Sequence, residues 1–97
     1  MWVGACELDV LLGEVRSLKE KRSVVRPIVA ELKRYGVSAA EAGHLDLHRR
    51  ALVGVAVVAA DLEHVREVLE ACEEAVARRP EVELLSARTW VRGPEDE

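Results

Sequence analysis

Arg50-Ala51-Leu52-Val53-Gly54-Val55-Ala56-Val57-Val58-Ala59-Ala60, running straight into Asp61, is the stretch on which the fold turns. It is apolar on both alternating faces and rich in β-branched valine, the composition of a strand in the middle of a sheet. Its apolar part, residues 51–60, is too short to cross a membrane as a helix. Asp61 is a helix N-cap, and after it Leu62, Val65, Val68, Leu69, Cys72 and Val76 recur at helical spacing. That helix ends at Arg78-Arg79-Pro80, with cations at its negative end. Val82 to Val91 then reads as a last strand.

Towards the N-terminus, His44 to Arg49 is a polar connection and Val37 to Gly43 a strand, weakly signalled because alanine is a poor strand former. Before it, Ser17-Leu18-Lys19-Glu20 is a capping box, with Ser17 at the N-cap and Glu20 three residues on. Leu18, Val24, Val25, Ile28, Val29, Leu32 and Tyr35 form one helical stripe that stops at Gly36. Pro27 lies inside it and cannot donate to the carbonyl of Ser23, so a kink is expected. Trp2 to Leu12 alternates, with Cys6, Leu8, Val10 and Leu12 on one face and Glu7 and Asp9 on the other. Gly13 to Arg16 turns the chain into the helix.

Strand, helix, strand, strand, helix, strand is the order of a ferredoxin-like βαββαβ α+β sandwich. Two right-handed crossovers interleave into a four-stranded antiparallel sheet with both helices on one face, the first and third strands central. Residues 1–92 form one domain and 93–97 a flexible acidic tail. The 97 residues, 49% hydrophobic and 33% charged, suffice for one two-layer core and do not resemble a disordered chain. Cys6 and Cys72 fall at apolar-face positions and read as buried reduced thiols, a disulfide or reactive thiol being the less economical alternative. Val3-Gly4-Ala5-Cys6 lacks the basic start and apolar run of a signal peptide, so a cytoplasmic protein without membrane contact is expected.

A net charge of −4 argues against a domain-wide polyanion footprint. Charge is nevertheless polarised: residues 16–35 hold seven bases and two acids, residues 61–79 six acids and three bases. The predicted topology brings three connections to one end: Gly13 to Arg22, His44 to Arg50, and Arg78 to Pro80. Arg16, Ser17, Lys19, Lys21, Arg22, His44, His48, Arg49, Arg50, Arg78 and Arg79 are therefore candidates for binding RNA or another anionic partner, beside a helix N-terminus. Taken singly, each base is equally a solvated surface residue. Lys21 points along the apolar stripe, where it snorkels, pairs with a carboxylate or serves a binding site.

Catalytic constellations are missing: no nucleophile with a base, no CxxC, no phosphate loop. The expectation is a protein that is not an enzyme, with no cofactor and no small-molecule substrate. His44, Asp46 and His48 alternate as weak metal candidates, against a simpler reading as a hydrogen-bonded turn. On the uncovered sheet face, Glu7, Asp9, Leu52, Ala56 and Val58 are candidates for a protein contact or homodimer. RNA-recognition modules of this strand order stack bases on aromatics of the first and third strands. Glu7, Asp9, Leu52, Gly54 and Ala56 offer none there, which points to contact with backbone or shape.

Ser17-Leu18-Lys19-Glu20-Lys21-Arg22, then Val37-Ser38-Ala39-Ala40-Glu41, His44, Asp46-Leu47, Arg50-Ala51 and Gly54-Val55-Ala56-Val57-Val58, resemble the YlxP-like family (domain of unknown function 503). The likeness runs on to Pro80-Glu81-Val82-Glu83-Leu84-Leu85. It implies a bacterial cytoplasmic protein of ferredoxin-like fold, encoded among genes for translation initiation and ribosome maturation. It brings no established activity or cofactor, and singles out residues 17–22; Pro27 departs from the pattern. Together these readings lead to an accessory factor contacting a ribosomal subunit or its RNA through phosphates. A protein-interaction or self-association module is the alternative, and a small metal- or ligand-binding domain the least expected.

Overall fold

Every second residue of Trp2–Leu12 from Gly4 onward is buried, as the alternation demands, and this strand carries the sheet. The computed structural model describes residues 1–95; Asp96 and Glu97 of the expected acidic tail lie outside the described residues. The elements follow as β1 (Trp2–Leu12), α1 (Leu18–Lys33), β2 (Ser38–Gly43), β3 (Arg50–Ala59), α2 (Leu62–Ala77) and β4 (Val82–Arg92). The strands lie in the order β2-β3-β1-β4 and every neighbouring pair is antiparallel. This is the ferredoxin-like α+β sandwich.

Alternate residues of the central strands, Cys6, Leu8, Val10 and Leu12 against Ala51, Val53, Val55 and Val57, form the floor of the core. Val25, Ile28 and Leu32 of α1 and Val65, Leu69, Cys72 and Val76 of α2 close it from above. Close packing leaves no room beside Gly4, where an added Cβ would overlap Val65 Cγ1 and lie 2.9 Å from Leu69 Cδ1. Both cysteines are free and buried. Burial pushes the Cys6 thiol up, and pushes Cys72 to about 11 with a smaller contribution from Cys6.

Both helices start as their caps dictate. The Ser17 hydroxyl accepts from the Glu20 amide at 3.1 Å, and Asp61 accepts from the His64 amide at 2.8 Å. Glu20 reaches back to the amide of Arg16 at 3.4 Å, one residue earlier than the reciprocal bond of a capping box. Helix α1 is continuous through Pro27. Gly36, at φ +81°, supplies the left-handed residue that turns the chain towards β2. No described helix is long and apolar enough to cross a membrane.

Candidate functional site at one end of the sandwich

Strand register fixes which loops meet. Leu11 is opposite Arg50 and Leu12 opposite Val82, so the β1–α1 turn, the β2–β3 hairpin tip and the bend before β4 are neighbours. The Leu12 amide donates to Arg49 O at 2.8 Å, and Arg49 Nε donates to Gly13 O at 3.1 Å, lacing the first two together.

The hairpin tip is held from inside by Lys21. Its Nζ donates to His44 O and Leu47 O, each at 2.7 Å, and meets Glu41 Oε2 at 2.7 Å. Three partners use all three donors of the ammonium, and Lys21 is 2% exposed. The ion pair is the only polar contact of Glu41 Oε2 among the described residues. Of the three roles open to Lys21, the structure selects the carboxylate pair. This lysine is unreachable by a partner and leaves the set of candidate contacts. His44 stands at φ 56°, a left-handed conformation tolerated at a tight turn, and the Leu47 amide closes that turn on His44 O at 3.0 Å.

Internal acids also engage three further candidates. Arg50 donates from Nε to Asp9 Oδ1 at 3.0 Å and from Nη2 to Asp9 Oδ2 at 2.6 Å, a two-pronged pair. His44 Nε2 lies 3.3 Å from the same carboxylate. The Arg50 hydrogen bonds, more than His44, hold the Asp9 carboxyl below the usual carboxylate range. Arg79 donates to Glu31 Oε1 at 2.7 Å, to Glu81 Oε2 at 2.8 Å and to the Pro27 carbonyl at 3.3 Å, tying the end of α2 to α1. Lys21, His44, Arg50 and Arg79 therefore build the end of the sandwich rather than charge it. Asp9, on the open face, is likewise engaged by Arg50 and His44.

Arg16, Lys19, Arg22, His48, Arg49 and Arg78 remain exposed, and none forms an ion pair among the described residues. Ser17 spends its hydroxyl on the cap. Along α1 the exposed cations continue with Arg26, Lys33 and Arg34. Of the weak metal candidates, His44 folds back to Asp9 while Asp46 and His48 stay exposed on the loop. Among the described residues no three metal-ligating side chains converge.

On the uncovered face, Glu7, Leu52, Ala56 and Val58 lie as the alternation predicts, with Val58 63% exposed and its cross-strand neighbour Val3 exposed beside it. A shallow depression of about 340 Å³ has Ala5, Ala40, Ala42, Gly54 and Ala56 in its lining, with Trp90 beside them. Sequence reasoning missed Trp90, which is 45% exposed with the Arg88 guanidinium 5.9 Å from its ring centroid. Counting by twos from Val82 sends Trp90 towards the helices. The register shift between Asp9 and Val10 leaves Leu85 unpaired, which reverses the alternation and turns Trp90 to the open side. The open face thus carries one aromatic, on β4, though the first and third strands offer none.

A family model described as "Protein of unknown function (DUF503)" matches residues 3–89. The uncharacterized protein YlxP of Bacillus subtilis (strain 168) is 28% identical over 88 residues, covering 90% of this chain and 96% of that protein. The chain belongs to the DUF503 family of proteins of unknown function.

Proposed function

We propose that this protein is a non-enzymatic cytoplasmic accessory factor that holds RNA, in the setting of a ribosomal subunit, by its phosphate backbone. One observation carries the reading. Arg16, Lys19, Arg22 and Arg49 come from two connections laced together, with Arg78 at the bend that leads into β4, and none of the five has an ion pair among the described residues, in a chain whose net charge is −4. Cations left unneutralised beside the N-terminus of α1 attract a polyanion, and arginine forks fit phosphate oxygens. The rigid hairpin tip, pinned by Lys21, sets the spacing of the surrounding cations.

Five phosphate contacts give a salt slope of about −3.5 for single-stranded RNA, so raising salt fourfold weakens binding by about a hundredfold. The test is a titration of single-stranded RNA and of purified ribosomal subunits at two salt concentrations, with Lys19→Glu combined with Arg22→Glu. Loss of affinity and a shallower slope in the variant support the reading. Binding unchanged by the double substitution, or absent at low salt, refutes it.

The exposed Val3–Val58 pair and Trp90 favour a second reading, a protein contact or homodimer across the open face. Light scattering of the wild type and of Val58→Lys decides it: a monomer at every concentration removes self-association.

A further inference from the structure

The two edges of the sheet are guarded differently. β4 has its bulge at Leu85 and carries Glu83, Arg88 and Arg92, the devices that keep an edge from pairing with another chain. β2 has a register shift too, at Ala42, but carries no charge on its open side, where Ser38, Ala40 and Ala42 lie, and turns Ala39 and Glu41 to the helices. It has no proline and no cation, and its single acid is neutralised by Lys21.

Nor does α1 close over this edge. Ala39 and Glu41 stay half-buried, and a groove of about 380 Å³ separates helix from strand. Val25 and Val29 line it, with Arg22, Arg26 and Lys33 along the helical side and Glu41 on the strand side. None of those three cations has an ion pair among the described residues.

We propose that this groove receives an extended acidic segment of a partner protein, added to the free edge of β2 as a further strand. A strand edge alternates N–H donors and C=O acceptors, which another peptide backbone satisfies together. A phosphate backbone has acceptors only and leaves the outward carbonyls facing like charge, so a peptide fits better than RNA. Spacing agrees: along α1 Arg22 and Arg26 are about 6 Å apart, close to the roughly 6.7 Å between alternate side chains of a strand. Acidic side chains two apart therefore meet successive arginines.

The probe is a fluorescein-labelled hexapeptide of alternating valine and glutamate, with its valine–lysine counterpart as control. Binding is read by anisotropy, and its place by amide hydrogen exchange. The acidic peptide binds, the basic one does not, and exchange slows at Ser38–Gly43. Arg26→Glu with Lys33→Glu, both exposed and without internal partners, weakens the acidic peptide by about tenfold or more. Equal binding of both peptides, no binding of the acidic one, or protection at β4 instead of β2 overturns the proposal. Protection of β2 by single-stranded RNA without peptide overturns it too, and makes the groove part of the nucleic-acid surface. RNA affinity of the same samples is measured separately, so either reading can fail alone.

Discussion

Replacing Lys21 by Met tests the keystone of the end that carries the cations. The change keeps an unbranched side chain of similar length and removes the ammonium. It strips Glu41 of its partner and leaves the His44 and Leu47 carbonyls without their shared donor. Removing one member of a buried ion pair costs about 3–5 kcal/mol. Here the Glu41 side chain is 22% exposed and the loop carbonyls can turn to water, which places the loss near the lower limit, about 3 kcal/mol. For a domain of this size that is on the order of 15 °C in Tm. Urea unfolding followed by circular dichroism measures it, together with Glu41→Leu and the double variant. If the pair acts as a unit, the double variant is more stable than the sum of the single losses implies, by about 1–3 kcal/mol. A Lys21→Met loss below about 1 kcal/mol, or losses that simply add, would refute the staple.

Acid should unfold the protein partly through Asp9 and Glu81, whose carboxyls sit below their usual range in the folded state. Such groups stabilise fully above the unfolded value, and that contribution is lost as pH falls through the folded one. Asp9→Asn should therefore flatten the stability profile below about pH 4, and an unaltered profile counts against the Arg50 pair. Gly4→Ala should destabilise by about 1–3 kcal/mol, since its methyl group overlaps Val65 Cγ1; a neutral effect in thermal unfolding would show that α2 yields easily. Native Cys6 and Cys72 should resist a thiol reagent at neutral pH and react on unfolding. Rapid labelling of either in the native state contradicts the packing around it.

Much of this arrangement was legible in residue order because each signal is local. Ser17 and Asp61 cap whatever helix follows them, and alternation along Trp2–Leu12 fixes which side of β1 is buried. Handed crossovers then leave one arrangement, which also predicts that three connections share an end. What these signals do not determine is which cations remain free there. His44, Arg50 and Arg79 look like Arg16 or Lys19 in sequence, and even Lys21, marked by its place on the apolar stripe, does not show there which role it takes; acids 20 to 48 residues away, with Glu81 beside Arg79, set the four apart.

Asp9, Glu31 and Glu41 become partners when the sheet and helices close, because a carboxylate half-withdrawn from water needs a cation more than an exposed one does. Trp90 escaped for a related reason: one unpaired residue at Leu85 reverses the face of every residue after it, and pairing with β1 decides where that residue falls. Sequence alone thus determined the elements, their order and the connections that share an end. Tertiary structure decided which charges are neutralised, which aromatic meets solvent and which sheet edge stands open, since each depends on distances that exist only after folding.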